Sequence, residues 1–120
     1  LPDIADLRDE VVDDLYLQRY AVEREPQLSV GDARTVARAA VSDHDAALRP
    51  TDATGPAEHR YRFAADVRAE VVRRKRARRL IDYDDLLTLL RDALTDPRTG
   101  PAAVERVRSR YRVVMVDEFQ

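Results

Sequence analysis

Two acids near the end of the chain, Asp117 and Glu118, follow directly on Val113-Val114-Met115-Val116. An unbroken apolar run rich in β-branched side chains reads as a strand buried on both faces of a parallel α/β sheet. Ligands in such sheets bind at the carboxyl ends of the strands. A carboxylate pair placed there is suited to holding Mg²⁺ beside a nucleotide phosphate and orienting a water for attack. The plainer reading is a buried strand that leaves the core through charged residues.

A second set of candidates is cationic. Arg73-Arg74-Lys75-Arg76 fills a full helical turn, and Arg78 and Arg79 follow. Between Glu58 and Leu80 nine basic residues stand against three acids, a net of +6. Cations are favoured near a helix C-terminus, but that does not require them all the way around a turn. Such a ring is either simply solvated or lies along a polyanion such as a DNA backbone. Aromatics do not interleave with the arginines, so phosphate contact without sequence selectivity is expected rather than base stacking. His44 and His59 lack a second ligand at metal spacing or a nucleophile partner and read as surface residues.

The elements that must position these groups are mostly helices. Ile4, Leu7, Val11, Leu15 and Val22, flanked by Val12, Tyr16 and Tyr20, predict a helix from about Asp3 to Glu25 that Pro26 ends. Its exposed face is acidic. Asp9, Glu10, Asp13 and Asp14 could be imagined around a metal, but a solvated face favoured by the helix dipole explains them more simply. Ser29 and Asp32 make a capping-box-like start to a second helix burying Val30, Ala33, Val36, Ala37, Ala40 and Val41. Turn-forming residues fill 42–56, a connection long enough to be functional or mobile. A long helix over 57–79 follows, with the stripe Tyr61, Ala64, Val67 and Val71. Asp82 caps the next helix, whose core stripe is Tyr83, Leu86, Leu87, Leu90, Ala93 and Leu94. After Asp96-Pro97 and Gly100-Pro101, a short helix over 102–110 delivers the chain to the strand.

The terminal string Val-Val-Met-Val-Asp-Glu-Phe-Gln resembles motif II of superfamily 1 DNA helicases of the UvrD/RecB type, and most of all their RecB-like branch. Asp82-Tyr83-Asp84-Asp85-Leu86-Leu87 resembles the segment that precedes motif II in the same family, at the family's interval. The resemblance implies that Asp117 is the Mg²⁺ carboxylate, Glu118 the catalytic base for ATP hydrolysis, and Gln120 a nucleotide contact near the γ-phosphate. It implies a mainly α chain in two parts. Residues 1–80 would be the helical 1B-type subdomain, an arm facing DNA. Residues 81–120 would be a return segment, helices plus one terminal β-strand, of the RecA-like α/β ATPase domain 1A. Arg73, Arg74, Lys75, Arg76, Arg78 and Arg79 would then approach DNA. The partners implied are single-stranded DNA, duplex ends, and RecC-like and RecD-like subunits.

The departures bear on activity. There is no Gly-x-x-x-x-Gly-Lys-Ser/Thr loop, no sensing arginine of a second RecA-like domain and no nuclease domain, so the chain reads as a piece of a longer enzyme. By itself it is expected neither to bind ATP appreciably nor to hydrolyse it, and Val113–Val116 should either pack back on the helices or drive self-association. Composition narrows the rest. Charged residues make up 37% of 120 residues, the net charge is −2, and there is no cysteine to form a disulfide or thiolate site. No apolar run approaches the roughly 20 residues needed to cross a membrane and no signal peptide is visible, so a cytoplasmic location is expected. Two other classes fit the same residues: a non-catalytic helical DNA-binding module, and a protein-interaction module using the acidic face of the first helix.

Overall fold

The computed structural model describes residues 3–43, 46–49, 51–52 and 54–117. It holds five helices among those residues: α1 (Ile4–Tyr20), α2 (Val30–Ser42), α3 (Pro56–Arg78), α4 (Tyr83–Thr95) and α5 (Gly100–Arg110). The chain divides into two compact units, Leu1–Leu80 and Ile81–Gln120.

In the first unit α1 and α2 begin where a side chain replaces the missing backbone acceptor. Asp3 Oδ1 accepts from the Ala5 N–H at 2.8 Å, and Ser29 Oγ accepts from the Asp32 N–H at 3.1 Å. Gly55 starts α3 at φ 63°, a backbone conformation that favours glycine, and Pro56 occupies the first turn. Ion pairs fix the directions of the helices. Arg19 meets Asp66 and Arg74 meets Glu10, so α1 and α3 run antiparallel. Arg60 meets Asp32 and Arg68 Nε donates to the Ala40 carbonyl, so α2 and α3 run parallel.

Parallel neighbours explain the long connection over 43–55. The chain must travel back along α2, about 20 Å at 1.5 Å per residue, before α3 can begin. Arg68 ties this connection down. Its guanidinium donates to the carbonyls of Ala40 (2.9 Å), Asp43 (2.9 Å) and Ala46 (2.7 Å), closing the negative end of α2.

The core of this unit consists of Leu7, Val11, Val12 and Tyr20 from α1, Leu28 from the connection, Ala33 and Ala37 from α2, and Phe63, Val67 and Val71 from α3. Alanines on α2 let α3 approach closely. Phe63 is fully buried and meets Tyr16 edge-on, with ring centroids 6.3 Å apart. Burying a side chain of that size contributes about 2–3 kcal/mol. α1 stops at Tyr20, short of the predicted Glu25. The Tyr16 hydroxyl donates to the Leu28 carbonyl at 2.8 Å and draws the connection back, which leaves Val22 94% exposed.

The second unit is built differently. Asp82 and Asp85 form a reciprocal capping box at the start of α4, with bonds of 2.9 and 3.0 Å. α5 packs on α4, and Gly100, its only buried residue, sits against the end of that helix. A β-carbon there would strike the Leu94 carbonyl oxygen, with the Leu94 carbonyl carbon at 3.0 Å. No residue of α4 is buried. The predicted core stripe therefore exists as a stripe, but Tyr83, Leu86, Leu87 and Leu90 lie open.

The strand expected at Val113–Val116 does not form among the described residues. Those four residues belong to no helix or ladder and are 69–91% exposed. The physical reason is pairing: a strand needs a neighbour, and no other described segment is extended into one. Nor do they pack back on α4 or α5 of their own unit.

Candidate functional site

Of the terminal acid set, Asp117 is described and exposed, at the end of the irregular segment that follows α5. Glu118 and Gln120 lie outside the described residues. No group of three or more histidines, cysteines or acids among the described residues could hold a metal ion unaided. Magnesium bound with a nucleotide needs only one or two protein carboxylates, because phosphate oxygens and water fill the other positions. An exposed aspartate fits that donor set.

The arginine-rich end of α3 is drawn largely into contacts with acids. Arg73 makes a two-pronged bond to Glu70, at 2.7 and 2.6 Å. Arg74 reaches Glu70 at 2.8 Å, Glu10 at 2.7 Å and Asp14 at 2.8 Å, with its side chain only 16% exposed. Arg78 donates to Glu10 at 2.9 Å. Two acids of the α1 face, Glu10 and Asp14, thus act as counter-charge to α3 and face guanidinium groups, while Asp9 pairs with Arg8 and Asp13 with Arg34. Hydrogen bonds from Arg73, then Arg74, hold the Glu70 carboxyl down at about 2. The hydrogen bond from Arg78 does most to hold Glu10 below the usual carboxylate range. Arg74 is raised, first by its bond to Glu70 and then by Asp14.

The remaining cations differ. Lys75 is half-buried, whereas Arg76 and Arg79 are exposed and make no ion pair with a described residue. By spacing alone all six have the same standing. Arg74 and Arg78 are set apart by lying on the side of α3 that faces α1, and Arg73 by its pair with Glu70 on the same helix. Arg68 is the functional-looking residue that sequence reasoning did not single out. Its only signal was a basic side chain spaced to meet the end of a parallel helix. A cleft of about 450 Å³ between α2, α3 and the connection is lined by Ala39, Leu48, Tyr61 and Ala64 with Arg49 and Arg60. Among the described residues that line it there is no carboxylate, histidine or thiol.

The sequence pattern of the UvrD/REP helicase N-terminal domain matches residues 4–120. The chain belongs to this helicase family. Within it the resemblance is to RecB-type proteins. The chain is 48% identical over 118 residues, 96% of its length, to the "RecBCD enzyme subunit RecB" of Mycolicibacterium smegmatis. It is 42% identical over 120 residues, 98% of its length, to the protein of that name from Mycobacterium tuberculosis. The protein of that name from Escherichia coli is 39% identical over 59 residues, 49% of this chain and 5% of that protein. The chain spans 11% of the length of each mycobacterial relative. No solved structure matches it. No helix among the described residues of this RecB-like UvrD-type chain is long and apolar enough to cross a membrane.

Proposed function

We propose that this chain serves in a RecB-type, ATP-dependent DNA helicase subunit of recombination and double-strand-break repair, where Mg²⁺-ATP hydrolysis drives unwinding. The observation that carries the proposal is the family match through residue 120, which takes in the Asp-Glu-Phe-Gln string. Residues 1–80 act as the 1B-type arm and residues 81–120 as the return into the RecA-like domain. In the parent protein Val113–Val116 becomes a strand flanked by others, and the open face of α4 is covered by the rest of that domain. Asp117 holds the magnesium ion. Glu118 accepts a proton from the attacking water, and Gln120 contacts the nucleotide near the γ-phosphate. The ion, when bound, neutralises charge on the transferring phosphoryl group. The basic end of α3 contacts DNA phosphates, RecC-like and RecD-like subunits are the protein partners, and the setting is the cytoplasm. The 120-residue chain alone is inactive.

The test is Glu118→Gln in the full parent subunit. Turnover of ATP should fall by at least about 10²-fold, the scale of a lost general base. Nucleotide affinity should stay within a few-fold of wild type. Undiminished hydrolysis would overturn the assignment.

A further inference from the structure

The six cations at the end of α3 fall into groups that the chain sequence does not distinguish. Arg73, Arg74 and Arg78 already face carboxylates of Glu70, Glu10 and Asp14. For a guanidinium in that position, taking a phosphate means giving up an equivalent anion, so little affinity results. Arg76 and Arg79 carry no such partner among the described residues. Arg76 lies on the side of α3 opposite the buried stripe Phe63, Val67 and Val71, three residues from Arg79 along the last turn.

Arg79 has a second peculiarity. It closes α3 in the left-handed conformation, φ 54° and ψ 38°, and is the only non-glycine residue with positive φ among those described. Its own N–H bonds to the Arg76 carbonyl at 3.2 Å, and the next N–H, of Leu80, bonds to the Lys75 carbonyl at 2.8 Å. Leu80 then packs against the core. This is a helix ending at which glycine fits without strain and an L-side chain does not. Glycine would serve the backbone better; what arginine adds is a cation standing in solvent just past the helix end.

We propose that Arg76 and Arg79 are the phosphate-contacting pair of α3, and that the strained position of Arg79 is occupied by arginine for that contact. The proposal rests on the reading of α3 as a DNA-facing helix. Arg74 and Arg78 instead join α1 to α3.

The test uses the 120-residue chain and a labelled single-stranded oligonucleotide, with binding followed by fluorescence anisotropy over stepped salt. Arg76→Ala, Arg79→Ala and Arg79→Gly should each weaken binding several-fold at low salt and reduce the logarithmic salt slope by about 0.7, the value for one single-strand phosphate contact. Arg79→Lys should keep most of the affinity. Thermal melting of the same proteins supplies a readout that binding cannot mimic. Arg79→Gly should melt on the order of 4 °C above Arg79→Ala, because both lose the cation but only glycine relieves the backbone. If the wild type binds and these variants bind equally well, the assignment of the pair is wrong while the DNA-facing reading stands. If the wild type shows no binding even at low salt, that reading fails and takes the pair with it. If Arg79→Gly melts no higher than Arg79→Ala, the claim of strain at this position is overturned.

Discussion

Arg74 joins carboxylates of α1 and α3 at one guanidinium. Isolated ion pairs at a surface contribute little, about 0–1 kcal/mol, because solvent screens them and two long side chains must be held still. Arg74 differs in being largely covered and in facing three carboxylates. Removing it leaves Glu10, Asp14 and Glu70 crowded with less counter-charge. Arg74→Ala should therefore destabilise the first unit by about 1–3 kcal/mol. Arg76→Ala, on the outward side, should change stability by less than about 0.5 kcal/mol. Urea midpoints with unchanged slopes would measure both, and equal effects would show that the seam between α1 and α3 is decorative. None of this is legible along the chain. Arg74 and Glu10 are 64 residues apart, and only the antiparallel packing of two helices turns an acidic face and a basic turn into partners.

At the scale of elements, local chemistry is far more legible. Ser29, Asp82 and Asp85 are recognisable as caps because capping needs only a side chain and a backbone two or three residues away. Stripes on α1, α2 and α3 are legible for the same reason, although the pattern takes in Val30, which is exposed, favours Tyr61 over Phe63, and misses Leu28, which lies in a connection where periodicity has no meaning. The early end of α1 depends on a hydrogen bond across twelve residues, which no local pattern encodes. Gly100 reads as a breaker in the sequence, but it is the first residue of α5 and a contact point. Its role predicts a specific failure. A methyl group at that position meets backbone, which cannot swing aside as a side chain would, so Gly100→Ala should cost about 1–3 kcal/mol. In a unit this small that is enough to separate α5 from α4. Far-UV circular dichroism should show partial loss of helix at temperatures where the first unit remains folded; an unchanged melting profile would mean that the contact between Leu94 and Gly100 carries no weight.

For the whole molecule, the two units stand on different physical footings. The first has a closed set of buried side chains drawn from three helices and a connection. The second has one short contact between helices of 13 and 11 residues, with a leucine-rich face and four apolar residues ahead of Asp117 left in solvent. Helices of that length are marginal in water unless an amphipathic face is covered. Periodicity is local, so the sequence can reveal that α4 has such a face but not what lies on it. Amide hydrogen exchange should therefore resolve two tiers at low concentration. Amides of α1 through α3 should exchange only through global unfolding of their unit, while those of α4 and α5 should exchange at least about 10²-fold faster. Raising the concentration should slow the second tier if the exposed apolar residues pair between molecules, and sedimentation would show the accompanying species. In the parent protein both tiers should merge, because the face of α4 would then be buried. Equal protection of both units in dilute, monomeric chain would contradict this division, since it would require a source of stability for α4 that none of its exposed leucines supplies.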